Sequence, residues 1–497
     1  MAAAARGAVP ARFSGAAPAP GRRRRALLFA HELRTLLRVA APIILSQLGG
    51  IAMNVTDTIM VAPLGPAALA AAGLGMSVHV TLLMVCTGVL MGMTPLVSQA
   101  FGAGERDECR RLLVQGLWLA LIVSVPVTLV SLLGRPIALR MGQDPAVAAA
   151  GGAFLQALAP GALALVVFAA FRQYLDGMGL TRVAMAITFL GLVANVFANR
   201  ALIHGVPGFV EPMGVVGAAV ATSFVRWVML VVMVAYVLRR SDLTPVGRAA
   251  LRLVPARLKQ IAAIGVPIGA QMGAEVGIFS LAAVMMGWLG PVQFAAHQVV
   301  INIASATFMV ALGASVAGSI RVGQHVGAGN PRGARRAAVG AYLLSVGFMS
   351  LCALLFLAAP RWLISLYTTD PGILRYGTGL LFMAALFQVF DGAQVAGLTA
   401  LRGAADTRVP MVITLLGYWA VGLPVAYYLG FRTSMAHLGI WTGLVVSLAV
   451  VSVFLAWRVR RVIWHGTLRR AAAPVPDRMP AAALEGPESL GVPVAGD

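Results

Sequence analysis

Long apolar segments alternate with short polar stretches along this chain. Twelve segments are long enough to cross a membrane as helices, since a spanning helix needs about 20 mainly apolar residues. Their apolar residues run continuously instead of alternating with polar ones, which favours helices over the strands of a membrane β-barrel. The pattern predicts an all-α integral membrane protein. The predicted spans are 35–62, 68–98, 108–133, 146–172, 182–204, 214–238, 258–287, 293–320, 333–358, 372–400, 408–430 and 436–462.

Composition supports a membrane setting. Hydrophobic residues make up 59% of the 497 residues, charged residues only 11%, and the mean hydropathy is +0.87. Because an ordinary globular domain has about 25% charged residues, a soluble protein of this length would lack the polar surface that it needs. Lipid tolerates such a surface if every backbone amide is satisfied internally, as it is in a helix. We therefore expect a multi-pass protein of the cell inner (plasma) membrane.

Basic residues are concentrated in every second connection between the predicted helices. Membrane proteins keep an excess of Arg and Lys on the cytoplasmic side, so this pattern predicts that both termini are cytoplasmic. The formal net charge of +21 does not indicate a nucleic-acid partner, because the cations lie between apolar segments without interleaved aromatic residues. Membrane lipids are the expected surroundings. The Arg-rich stretches are 22–25, 106–111, 239–259, 332–336 and 458–470.

The second half of the chain repeats the first. Short motifs recur 225 or 226 residues later, an offset that spans six predicted helices. Six is an even number, so the two halves have the same orientation in the membrane and form a parallel repeat. The matched segments are 64–66 with 289–291, 99–104 with 324–329, and 181–188 with 407–414.

The repeat predicts two six-helix lobes around a central cavity. Substrate sites in such folds usually lie near the membrane midplane at the interface of the repeats, whereas a channel is more often built by symmetric subunits around a pore. The repeat therefore favours a transporter, and we expect a monomer. The predicted divisions are a disordered tail 1–33, a first lobe 34–240, a cytoplasmic linker 241–257, a second lobe 258–465 and a disordered tail 466–497.

Three acidic residues lie inside predicted spans: Asp57, Glu275 and Asp391. A charge at the bilayer centre costs about 2.5–3.5 kcal/mol on insertion scales, and such residues usually face a cavity or a proton relay. A carboxyl group away from water holds a proton readily and releases it when water or a cation arrives. This chemistry suits coupling of H⁺ or Na⁺ to a conformational change. The alternative is that each acid is a structural hydrogen-bond partner.

Several other polar residues share helix faces with these acids. Asn195 and Asn199 are four residues apart in predicted helix 5, so both amides lie on one face and form a polar pocket with Asp57. Structural hydrogen bonding between helices is the alternative for both asparagines. A second set is expected to face the substrate, although packing roles are also open for its histidine and its methionine. The members are Gln271, His297, Gln298, Gln394 and Met53.

Other charged and reactive residues carry no expected chemistry. Arg172, Asp176 and Arg182, at the turn between predicted helices 4 and 5, are expected to form a solvated cytoplasmic cluster. Paired catalytic carboxylates, a Ser/His/Asp set, a phosphate-binding loop and a zinc motif are all missing, so an enzyme is not expected and no cofactor is predicted. The cysteines have no metal or redox spacing. They are Cys86, Cys109 and Cys352.

Four segments combine into a family pattern. They are Asp57-Thr-Ile-Met-Val in predicted helix 1, residues 173–185 before Asn195 and Asn199, Ala295-Ala-His-Gln298, and Leu401-Arg-Gly-Ala-Ala-Asp-Thr after Asp391. Together they resemble the multidrug and toxic compound extrusion (MATE) family in its NorM-type branch, over essentially residues 30–465. The resemblance implies a secondary active antiporter that exports bulky organic cations in exchange for Na⁺ or H⁺.

The resemblance also implies roles for the acids. Asp57 with Asn195 and Asn199 would form the cation or proton site of the first lobe, and Glu275 with Asp391 that of the second. Either set is a candidate Na⁺ site.

One residue departs from some Na⁺-coupled members of the family. Those members have a tyrosine one turn before the acid of helix 10, where this chain has Phe387. A cation ligand is lost at that position, which shifts the expectation towards H⁺.

Two other functions remain as alternatives. A lipid-linked saccharide flippase of the same superfamily would need a strongly cationic cavity, and the cavity is expected to carry acids and almost no Arg. An intramembrane enzyme would need a nucleophile or a metal set within the spans.

Overall fold

The computed structural model describes residues 22–140, 142, 145–209, 211–243, 251–466, 468 and 470. In these residues, twelve helices are long and apolar enough to cross a membrane, and there is no β-strand. The helices are α1 (Arg22–Val61), α2 in two segments (Pro66–Leu90 and Met93–Gly102), α3 (Arg106–Leu132), α4 (Pro145–Gly177), α5 (Thr181–Ile203), α6 (Gly214–Leu238), α7 (Pro255–Leu289), α8 (Pro291–Gly327), α9 (Pro331–Ala358), α10 (Pro371–Gly403), α11 (Arg408–Phe431) and α12 (His437–Val459).

The predicted architecture of two six-helix lobes is confirmed. A buried apolar core in the first lobe is formed mainly by α2, α3, α4 and α6, and a second core by α7 to α12. The short helices of the two lobes also correspond, because Gly134–Arg140 lies between α3 and α4 and Pro360–Ser365 lies between α9 and α10. The internal repeat of the sequence is therefore a repeat of structure.

Several predicted boundaries differ from the structure. Residues 22–33, placed in the first tail, are helical, because this Arg-, Ala- and Leu-rich segment favours a helix and its Glu32 pairs with Arg321. Helix α4 continues five residues beyond its predicted end at 172, and α7 begins at Pro255 inside the predicted linker. The rest of the predicted first tail, linker residues 244–250 and most of the last tail lie outside the described residues.

The Leu-Gly-Pro motif has a clear structural purpose in both lobes. Gly65 and Gly290 precede the first turns of α2 and α8, with φ angles of 101° and 140° that other residues rarely adopt. Pro66 and Pro291 then occupy the first helical position, where a missing N–H costs nothing. The motif therefore makes a sharp reversal between two long helices in each lobe.

The two lobes exchange hydrogen bonds at one end of the molecule. Gln99 of α2 donates through Nε2 to the carbonyl oxygen of Gly403 in α10, at 3.0 Å. Gln324 of α8 donates through Nε2 to the carbonyl oxygen of Gly177 in α4, at 3.3 Å. The glutamines are related by the repeat offset of 225 and the glycines by 226, so these are the same contact made twice. We call these two contacts the glutamine exchange.

Close backbone packing supports the glutamine exchange. A Cβ atom on Gly102 would overlap the carbonyl oxygen of Gln324, and one on Gly327 would overlap that of Gln99. Helices α2 and α8 thus cross in direct backbone contact. Only glycine allows this approach, so the crossing depends on these two positions.

Ion pairs reinforce the same end. Glu32 of α1 accepts from Arg321 of α8 at 2.8 Å and 2.9 Å and lies 3.1 Å from His325. Glu108 of α3 pairs with Arg257 of α7, and both side chains are buried. The lobes are therefore joined at the end that carries the Arg-rich connections.

We predict that Gly102→Ala destabilises the protein. A Gly→Ala change inside a helix normally stabilises it by about 0.5–1 kcal/mol. Here the added methyl group overlaps backbone of α8, and overpacking of this kind costs about 1–3 kcal/mol. The unfolding temperature of the purified protein measures the effect.

The matched control is Gly347→Ala in α9, where a Cβ atom meets nothing within 4 Å. Its unfolding temperature should be unchanged or higher. Equal unfolding temperatures for the two variants would contradict the close crossing of α2 and α8.

We predict that Glu108→Gln lowers stability strongly. The change removes the carboxylate charge that pairs with the buried guanidinium of Arg257, and breaking a buried ion pair costs about 3–5 kcal/mol. The neighbouring Asp107→Asn breaks an exposed pair with Arg110, worth about 0.5 kcal/mol. Thermal unfolding of both variants tests this difference, and similar losses would show that the Glu108 pair is not buried in the folded protein.

Candidate functional site

Asp57 lies at the centre of a hydrogen-bonded site inside the first lobe. Its Oδ1 accepts from Nδ2 of Asn195 at 3.0 Å and from Nδ2 of Asn199 at 2.6 Å. Its Oδ2 accepts from the hydroxyl of Thr222 at 3.3 Å. Both asparagines are fully buried. The predicted grouping of Asp57 with the two asparagines is thus present, and α6 adds a third donor.

The arrangement contains the ligand types of a cation or proton site. The two amides present only donors to Asp57, so the carboxylate acts as an acceptor. Asn199 Oδ1 is buried and has no hydrogen-bond partner. Carboxylate and amide oxygens are the ligands that hard cations prefer, and a protonated carboxyl group would itself donate to such an oxygen.

A second buried polar chain lies beside this site. Arg226 of α6, one turn after Thr222, lies 3.0 Å from Nε2 of His79 in α2. The other ring nitrogen of His79 lies 3.2 Å from the hydroxyl of Ser131 in α3. Because Arg has only donors, Nε2 of His79 must accept, and the ring is neutral in this arrangement.

Glu275 and Asp391 lie together in the second lobe, as predicted. Asp391 is 4% exposed, and the two carboxyl groups are close enough for their charges to interact. Arg402 of α10 attracts Glu275 and donates to Oε1 of Gln271 at 3.2 Å. No hydrogen bond to either carboxyl group is found among the described residues. The carboxyl groups of Glu275 and Asp391 therefore have fewer hydrogen-bond partners among the described residues than the carboxyl group of Asp57.

Phe387 is a packing residue. It is 3% exposed and makes edge-to-face contacts with Phe279 and Trp441, with ring centroids 5.9 Å and 5.8 Å away. Trp441 also donates to Nδ1 of His297 at 3.1 Å. Position 387 thus supplies an aromatic ring and no oxygen to the neighbourhood of Asp391.

A cavity of about 510 Å³ lies between the lobes. Its size falls within the range of drug-binding pockets, about 300–1,000 Å³. The walls are mostly apolar and rich in methionine and phenylalanine, and both lobes contribute. Glu275 lines the cavity on the second-lobe side. Typical lining residues are Met84, Phe168, Met272, Phe279, Phe308 and Met309.

The cluster at the end of α4 was predicted wrongly. Asp176 is 4% exposed and, with Arg172, lines the central cavity; only Arg182 is exposed as expected. The reason is the longer α4, which keeps Asp176 within the helix bundle instead of in a turn. The cavity also contains Arg402, so the expectation of a cavity almost without Arg is wrong as well.

Of the five residues expected to face the substrate, only Gln394 lines this cavity. It exchanges hydrogen bonds of 2.6 Å and 2.9 Å with Tyr418. Gln271 accepts from Arg402 and His297 accepts from Trp441, and both partners lie in the second lobe. The residues that do not line the cavity are Gln271, His297, Gln298 and Met53.

Several members of these sites were not predicted from the sequence. Arg226 could have been predicted as a site residue, because a lone Arg inside an apolar helix needs a polar partner as much as an acid does. Thr222 could not, because threonine is common in membrane helices. Its contact with Asp57 joins residues 165 positions apart.

The sequence profile of the MatE family matches residues 42–200 and 267–428, once in each lobe. A probable multidrug resistance protein NorM of Burkholderia pseudomallei is 36% identical over 460 residues, which cover 91% of this chain and 96% of that relative. The multidrug resistance protein PmpM of Pseudomonas aeruginosa is 35% identical over 445 residues, covering 88% and 93%.

Solved structures show the same fold. The eukaryotic MATE transporter AtDTX14 superposes with a TM-score of 0.80 at 21% identity, over 89% of this chain and 98% of that chain. An outward-facing multidrug resistance MATE transporter of the MOP superfamily gives 0.80 at 21% identity, over 88% and 97%. On the strength of the profile match and the relatives at about 35% identity, the chain belongs to the multidrug and toxic compound extrusion (MATE) family, in its NorM-type branch.

Proposed function

We propose that this protein is a secondary active multidrug efflux antiporter of the inner membrane, which exports organic cations in exchange for a coupling ion. Its relatives are named as multidrug resistance proteins, not as enzymes. The proposal rests on the position of Glu275, whose side chain lies on the wall of an apolar cavity built by both lobes. An acid in that position meets both an organic cation and a small coupling ion.

Alternating access follows from where the lobes touch. The glutamine exchange and the ion pairs of Glu32 and Glu108 close the end that carries the Arg-rich connections. The positive-inside rule assigns that end to the cytoplasm, with both termini on the same side. In this arrangement the cavity would be closed to the cytoplasm. Parting of the glutamine exchange, with the lobes rocking about the cavity, would open it.

We propose H⁺ as the coupling ion of the second lobe. Glu275 and Asp391 provide the carboxyl groups, but Phe387 provides no further oxygen, and Na⁺ needs several oxygen ligands at once. A proton needs only one carboxyl group. The first-lobe site, with Asp57, Asn195 and Asn199, has oxygen and amide groups suited to either ion.

The flippase alternative gains little from the two arginines in the cavity. Arg172 donates to Gln47 and lies beside Asp176, and Arg402 donates to Gln271 and is attracted by Glu275. The cavity lining contains two arginines and two acids, Asp176 and Glu275, so it has no net positive charge that would attract a phosphate group.

We predict that Asp57→Asn, Glu275→Gln and Asp391→Asn each reduce ethidium export to the level of vesicles without protein. Each change keeps the shape of the side chain and removes the group that binds and releases the coupling ion. Export from proteoliposomes measures the effect. Glu211→Gln, at an exposed loop position, is the control. Full export by all three variants would reject ion coupling through these acids.

We predict that an imposed pH gradient drives ethidium export and that a Na⁺ gradient at uniform pH drives little or none. The reason is that export is proposed to need the second-lobe acids as well as Asp57, and Phe387 supplies no oxygen ligand for Na⁺ beside those acids. Proteoliposomes loaded with each gradient separately make the measurement. Equal export under the Na⁺ gradient would assign the coupling to Na⁺ instead.

A further inference from the structure

Asp176 has an unused hydrogen-bonding position at the cavity. It lies in the last turn of α4, is 4% exposed and lines the cavity between the lobes. Its Oδ1 atom is buried and has no hydrogen-bond partner. A buried carboxylate oxygen without a donor is rare and costly, so it indicates a partner that the protein itself does not supply.

The neighbouring arginine does not fill that position. Arg172 lies one turn earlier in α4, and its Nε is 3.5 Å from the other carboxylate oxygen of Asp176, Oδ2. Its Nη2 donates to Oε1 of Gln47 in α1 at 3.1 Å. The guanidinium is therefore held between two helices of the first lobe, and Oδ1 of Asp176 remains available.

The second lobe has the opposite charge at the equivalent position. Arg402 is related to Asp176 by the repeat offset of 226, and it also lines the cavity. Glu275 on that wall is attracted by Arg402 of its own lobe. Asp176 is the acid of the cavity wall with a fully buried carboxylate oxygen that has no hydrogen-bond partner among the described residues.

The walls of the cavity that Asp176 lines suit a particular chemistry. Phe168, Phe279 and Phe308 offer aromatic faces, which attract cations and stack on flat rings. Met272 and Met309 add polarizable, adaptable side chains. An aromatic ligand with one positive charge would bury its rings against these residues and leave its cationic group to be paired.

We propose that Asp176 anchors the positive charge of the exported compound and makes the cavity selective for aromatic monocations. The inference rests on the proposed export function and assigns to the first lobe a substrate contact that is separate from the site of Asp57. Arg172 weakens the interaction of Asp176 with the ligand, because its positive charge competes with that of the ligand for the carboxylate.

Two substitutions with opposite expected effects test the anchor. Asp176→Asn removes the charge, and we expect the Kd of ethidium to rise about ten- to a hundredfold, as for loss of a hydrogen bond to a charged group. Arg172→Gln removes the competing cation, and we expect the Kd of ethidium to fall several-fold. Quenching of tryptophan fluorescence by ethidium, on the purified full-length protein, measures both. Asp107→Asn, at an exposed acid outside the cavity, is the control.

The outcomes separate this inference from the proposed function. A folded Asp176→Asn protein with the Kd of the unsubstituted protein would overturn it, and so would a Kd for Arg172→Gln that is unchanged or higher. If Asp176→Asn does not fold, the Arg172→Gln result decides alone. A protein that binds and exports no cation before any substitution would instead reject the proposed function, and this inference with it.

Discussion

A charge inside an apolar helix needs a partner, and the structure is organised by how each buried charge finds one. Asp57 has three donors, Arg226 has His79, and the Glu108–Arg257 pair closes one end. Charge partners reach across neighbouring helices because lipid supplies none. The carboxyl groups around the central cavity are the exceptions, because they have the least complete set of hydrogen bonds from the protein.

The internal repeat places the same framework residues in both lobes but does not repeat the buried acids. Glutamines, glycines and prolines recur at the offset of 225 or 226 because they make the lobe contacts and helix reversals that both halves need. Arginines of the connections recur, such as Arg110 and Arg335, but the acids of the spans do not. Ala282 stands opposite Asp57, Gly50 opposite Glu275, and Arg402 opposite Asp176. A symmetric frame therefore encloses an asymmetric arrangement of buried charges.

Most of the fold was predictable from sequence, because spans and repeats are local or periodic signals. The pairing of Asn195 with Asn199 was also predictable, since residues four apart share a helix face. The end of α4 was not, because Arg172 to Asp176 reads as a polar turn when its partners are unknown. Gln47 and the opposing lobe make that segment an internal one, and contacts across 125 residues leave no local pattern.

Polar residues were the least predictable part of the cavity. Sharing a helix face with an acid indicated that Gln271 and Gln394 belonged to one site, yet one bonds Arg402 and the other bonds Tyr418. Both of these partners lie in the second lobe, whereas Gln99 and Gln324 donate to backbone of the opposite lobe. A shared helix face therefore does not show which partner an amide will find.

The end of α4 links the cavity to the closed end of the molecule. Asp176 lines the cavity, and the next residue, Gly177, accepts the hydrogen bond from Gln324 of the other lobe. The same adjacency recurs with opposite charge at Arg402 and Gly403, which accepts from Gln99. A ligand at Asp176 would thus sit one residue from a contact that must break when the lobes part. The glutamine exchange is the shortest physical route by which occupancy of the cavity could influence which side is open.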